Sequence, residues 1–106
     1  MIKLLIQTHN QEYKAFICEG HAEYAEAGED IVCSAVSILT TNTANSIEKF
    51  SDSFAGSDSD DGVLTLVLKD HPDEKAKLLM DSMILGLESI QKAYGNEYLV
   101  VDYREV

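Results

Sequence analysis

Cysteine is scarce in this chain, with Cys18 and Cys33 the only two among 106 residues. So small a number excludes a disulfide-stapled secreted scaffold, and in a reducing compartment it leaves thiols or metal ligands whose chemistry has to be considered. Positive charge is scarce as well. Eight Lys and Arg stand against 19 Asp and Glu, a formal net charge of −11, which repels a phosphate backbone and favours cationic partners. Direct binding to nucleic acid is therefore not expected, although acidity also serves solubility alone. Long apolar runs are missing: Leu64–Leu68 and Leu99–Val101 fall far short of the roughly 20 residues that span a bilayer, so no membrane partner is expected. The N-terminal segment turns polar at Gln7-Thr8-His9-Asn10, before the apolar stretch of about 7–15 residues that a secretory signal requires. A cytoplasmic location is the expectation. Repeats and a second compositional regime are absent too, and a chain that is 45% hydrophobic can supply the core of one domain over residues 1–106.

What is present reads as alternating elements. Ile2–Thr8 and Tyr13–Glu19 have strand character and flank His9-Asn10-Gln11-Glu12, rich in turn formers, which predicts an antiparallel hairpin. Residues 21–29, between Gly20 and Asp30, carry glutamates without a period and read as a loop. Asp30 can cap a helix in which Val32, Ala35, Val36, Leu39, Thr43, Ile47 and Phe50 recur at three- and four-residue spacing, to about Ser51. Its threonines, asparagines and β-branched residues are poor helix formers, so packing of that stripe must hold it. Residues 51–62 read as a polar surface connector with a turn signal at Asp61-Gly62, followed by a strand over Val63–Lys69. Asp70-His71-Pro72-Asp73 then opens a second helix over about Asp73–Tyr94, with Leu79, Met80, Met83, Ile84, Leu87 and Ile90 on its buried face and Gly95 placed to end it in the left-handed conformation. A final strand over Glu97–Tyr103 completes a ββαβαβ order. The fold class is α+β, with two long helices on a mixed sheet of about four strands. Leu78 and Leu85 widen the apolar face of the second helix, either as core or as a surface for self-association.

One helix start carries candidate chemistry. Cys33 lies three residues after Asp30, where free amides and the positive end of the helix dipole favour a thiolate, and the same amides could hold an oxyanion. The charge of Asp30 opposes the thiolate. His21 closes the second strand, and the twelve-residue step to Cys33 lets the loop fold back and set imidazole beside sulfur. The alternative for Cys33 is an inert small hydrophobe, and for His21 a surface or capping residue. Cys18, His21 and Cys33 could also be zinc ligands, but structural zinc takes four from close pairs, and only Cys18-x2-His21 is close. Cys18 shares strand parity with Phe16 and reads as core; His9 and His71 read as structural or solvated.

The residues Gly20-His21-Ala22, followed by Gly28-Glu29-Asp30-Ile31-Val32-Cys33-Ser34-Ala35-Val36-Ser37, resemble the ribosomal-processing cysteine proteases of bacteria, and the length and element order fit as well. The resemblance implies removal of a short N-terminal extension from large-subunit ribosomal protein L-twenty-seven, with Cys33 as nucleophile, His21 as general base, no metal or organic cofactor, and a homodimer. Gly20, Asp30 and Ser37 match family positions in supporting roles: Asp30 caps the first helix or orients His21, and Ser37 bonds substrate or bonds back to the Cys33 carbonyl. Gly20 and Gly28 are the expected loop hinges. Glu19, Glu23, Glu26, Glu29 and Asp30 would attract a basic substrate. Ser34 replaces the alanine most often expected there, a small change. Two rival functions remain at this point: a non-catalytic acidic module that docks on ribosomal proteins, indifferent to Cys33→Ala, and a zinc or thiol redox protein, which would show bound metal or a Cys18–Cys33 disulfide.

Overall fold

The structure, a computed structural model, describes residues 1–22, 24–26 and 30–106; the expected hinge Gly28, with Glu23 and Glu29, lies outside the described residues. The elements follow in the order β1 (Ile2–His9), β2 (Glu12–Gly20), α1 (Ile31–Phe50), β3 (Phe54–Asp60), β4 (Val63–Leu68), α2 (Glu74–Tyr94) and β5 (Leu99–Glu105). All the expected strands and helices are there in the expected order, and the class is α+β. The strands form one sheet in the order β3-β4-β2-β1-β5. Every pairing is antiparallel except β1 with β5, which makes the sheet mixed.

The strand count corrects the expectation: there are five strands, because part of the connector at residues 51–62 is β3. Phe-Ala-Gly-Ser-Asp-Ser-Asp lacks apolar alternation and buries little, so its sequence resembles a loop. It is a strand because Asp61 and Gly62, both at positive φ (50° and 79°), form the two-residue turn that matches strand twist and folds β3 onto β4. As an edge strand it gains from polarity, since Asp58 and Asp60 discourage pairing with another chain. Asn10 and Gln11, at φ 49° and 68°, turn the first hairpin in the same way.

One face of the sheet carries the core. Rows such as Leu66–Phe16–Ile6 and Leu64–Cys18–Leu4 run across the strands, and Val32, Val36 and Ile47 of α1 and Met80, Met83 and Leu87 of α2 close over them in a single cluster. Full burial of one such side chain, Phe16 for example, contributes about 2–3 kcal/mol. Phe50, assigned to the stripe of α1, is instead 58% exposed at the last position of the helix, beneath the Lys49 ammonium at 5.7 Å from its ring centroid. Leu78 and Leu85 are 67% and 68% exposed, so they lie outside the core. Gly95 ends α2 with φ 102° but ψ 162°, an extended glycine-only conformation where the left-handed one was expected. Among the described residues no helix is long and apolar enough to cross a membrane.

Candidate active site

The site is built where β2 stops and α1 starts. Gly20 lies opposite Ile2 at φ 94°, and a Cβ there would collide with the Met1 carbonyl oxygen, so only glycine lets β2 finish this close to the chain start. The hinge expected at Gly20 would have to turn about this tight corner. Two residues on, Ala22 is 2% exposed and its amide donates to Cys33 Sγ at 3.1 Å. His21 is therefore held on one side by strand pairing and on the other by a buried methyl and a hydrogen bond to the sulfur. Its imidazole is exposed and lines the same pocket as Cys33. Among the described residues it makes no hydrogen bond to the sulfur; such contacts commonly tighten only when substrate binds.

Asp30 is the N-cap of α1 and is 7% exposed. Its Oδ1 accepts from the Cys33 amide at 2.9 Å and its Oδ2 from the Tyr24 amide at 3.0 Å. Donation by the Cys33 amide, with further amides at Tyr24 and Ala25, holds its carboxyl below the usual carboxylate range. Two expectations change as a result. Both carboxylate oxygens accept from backbone amides, and among the described residues Asp30 makes no hydrogen bond to His21. The Cys33 amide is spent on that cap and the Ser34 amide on the Asp30 carbonyl at 3.1 Å, so neither serves as an oxyanion donor.

Cys33 is half-buried and lies in a cavity of about 220 Å³ between α1 and the β3–β4 hairpin, with Ser37, Thr40 and Leu64 among the walls. Ser37 is exposed to this pocket. Among the described residues its hydroxyl does not make the back-bond expected to the Cys33 carbonyl, whereas Ser34 and Thr40 bond back to the Asp30 and Val36 carbonyls at 3.1 and 2.8 Å. Cys18, expected in the core, is half-buried and walls the same cavity; burial pushes its thiol up, which keeps it protonated.

Among the described residues no group of three or more His, Cys, Asp or Glu is gathered to hold a metal. His9 Nδ1 lies 2.7 Å from the Val106 carbonyl and His71 Nδ1 3.0 Å from Glu12, both at the far end of the sheet. What residue chemistry could not reveal is the Ala22 amide on the sulfur, a backbone group that any residue but proline would supply.

Comparison with known proteins gives a consistent result. The family model described as cysteine protease Prp matches residues 1–99. The ribosomal processing cysteine protease Prp of Staphylococcus aureus is 30% identical over 101 residues, covering 92% of this chain and 94% of that protein. Its counterpart in Bacillus subtilis is 29% identical over 107 residues, covering 94% and 96%. Among solved structures, the Staphylococcus aureus protease with a covalently linked product peptide superposes with a TM-score of 0.89 at 27% identity, over 98% of this chain and all of that one. The same protease with a substrate peptide gives 0.84 at 26% identity. Neither the non-catalytic module nor the redox protein accounts for these likenesses. With a sulfur and an imidazole on one pocket and this match along nearly its whole length, the chain belongs to the cysteine protease Prp family and is a cysteine protease of the ribosomal-processing type.

Proposed function

We propose that Cys33 and His21 are the catalytic dyad and that the substrate is a large-subunit ribosomal protein of the L-twenty-seven type, from which a short N-terminal extension is removed. The observation that carries this reading is the placement of the Cys33 sulfur in a pocket walled also by His21, with a backbone amide already aimed at it. In the reaction His21 takes the thiol proton and the sulfur attacks the scissile carbonyl. The imidazolium then protonates the leaving amine, and water hydrolyses the thioester with His21 again as base. None of these steps calls for a metal or organic cofactor. Ser37, an exposed residue of the pocket wall, is suited to bond the peptide.

The relatives are described as ribosomal processing proteases, one of them with a substrate peptide bound, and a ribosomal protein is strongly basic. The exposed Glu19 and Glu26, with the net charge of −11, favour such a partner. A cytoplasmic site of action follows from that substrate. The exposed Leu78 and Leu85 on α2 support a homodimer, since apolar side chains at that exposure gain from being covered.

The test is cleavage of a peptide spanning the extension junction. The native chain should cut it once, whereas Cys33→Ala and His21→Ala should each lose at least about a thousandfold in kcat/KM while folding normally. Near-native cleavage by either variant would remove the dyad.

A further inference from the structure

The described part of the connection between His21 and Cys33 is gripped at one aromatic side chain. Tyr24 meets two rings that arrive from the opposite end of the sequence. Tyr94, in the last turn of α2, lies with its centroid 5.5 Å away and its plane at 80°. Tyr98, just before β5, lies at 5.1 Å and 78°. Edge-to-face contact at these separations sets the positive ring edge against a negative π face and is attractive. The backbone of Tyr24 is held too, because its amide donates to the same Asp30 carboxylate that caps Cys33. Tyr98 is itself anchored at the site corner: its carbonyl accepts from the Ile2 amide at 2.9 Å, and Ile2 lies opposite Gly20.

We infer that Tyr24 is a positioning residue of the protease: its ring, clasped by Tyr94 and Tyr98, fixes the segment that keeps the Ala22 amide on the Cys33 sulfur and the His21 imidazole on the pocket wall. The role rests on the proposed dyad of His21 and Cys33. It belongs to the ring, since the Tyr24 hydroxyl makes no hydrogen bond among the described residues, and phenylalanine should serve equally. With the ring removed, the strand pairing of Gly20 and the Asp30 cap still hold the fold together. What falls is the fraction of molecules with imidazole and amide in place, which lowers kcat more than it raises KM.

The experiment uses the full chain as native protein and as Tyr24→Phe, Tyr24→Ala, Tyr98→Ala and the double alanine variant. Three quantities are measured: kcat and KM on the junction peptide, the rate of Cys33 alkylation by iodoacetamide against pH, and Tm. Tyr24→Phe should stay within about twofold of native, and Tyr24→Ala should lose roughly 10- to 100-fold in kcat with KM little changed. The alkylation profile of Tyr24→Ala should move, and adding Tyr98→Ala should cost little more, because both variants open the same clasp. The role is overturned if Tyr24→Ala keeps native kcat or an unmoved alkylation profile, if Tyr24→Phe shares the loss, or if the two alanine losses multiply. Alkylation needs no substrate, so it separates this failure from failure of the dyad, which His21→Ala reads independently.

Discussion

The two long helices begin alike and differ in what their first turns do. In each an aspartate is the N-cap and its Oδ1 accepts the amide three residues on, Asp30 from Cys33 at 2.9 Å and Asp73 from Ala76 at 2.8 Å. Each uses Oδ2 to grip an incoming segment, through the Tyr24 amide at 3.0 Å or the Asp52 amide at 2.9 Å. At α2 the third residue is a fully buried alanine, and the device only joins segments. At α1 the same position carries a thiol that reaches a cavity, with an imidazole on the same wall. A capped helix start is therefore a general fastening device, and the proposed chemistry enters only with the sulfur, the opening and the nearby ring.

The sharpest way to break this comparison is to neutralise both caps. Asparagine keeps one acceptor oxygen but turns a donor toward the second amide, so each variant loses one grip. Asp30→Asn should lower cleavage by roughly 10- to 100-fold, because the lost grip lies between His21 and Cys33, whereas Asp73→Asn should stay within about twofold. Their pH behaviour should nevertheless match. Both carboxyls are held below their ordinary range, in each case first by the capped amide, of Cys33 or of Ala76. A depressed folded-state value contributes stability that is present above the unfolded carboxylate pKa of about 3.9 and is lost as pH falls through the folded value. Plots of Tm against pH from 7 down to 2 should thus show a shallower acid fall in either variant than in the native chain. Equal cleavage by the two variants would erase the distinction between the helix starts. At the small end of the scale, Ser34→Ala removes only a bond to the Asp30 carbonyl, and activity should remain within about twofold, measured on the same peptide.

The comparison also shows which features a sequence displays. The Asp30 cap was legible, since aspartate ahead of an apolar period is a local signal with a local cause, whereas at α2 the cap could be read only to within Asp70–Asp73 and proves to be Asp73, with Pro72 ahead of the helix. Cys33 and His21 were legible as candidates because the proposed chemistry lies in their own side chains, and both line one pocket. β3 was not, because an edge strand need bury nothing and its pairing is imposed by the turn at Asp61-Gly62. The clasp on Tyr24 was hidden for a different reason: its partners Tyr94 and Tyr98 are distant in sequence and reach it only through the parallel pairing of β5 with β1. Asp30 could be read as a cap but not as the grip on Tyr24, which depends on how the loop returns. Contacts that follow from one element's own sequence were readable, and those created by the meeting of β1, β5 and α1 were not.

The central claim is that the sulfur of Cys33, activated by His21, is the attacking atom. The most direct measurement is covalent capture: the junction peptide carrying a thiol-reactive carbon at the scissile position is incubated with the native chain and with His21→Ala, and the modified residue is located by mass. The account predicts one adduct, on Cys33, formed at least about a hundredfold more slowly without the imidazole. An adduct on Cys18, or equal rates in the two proteins, would contradict it.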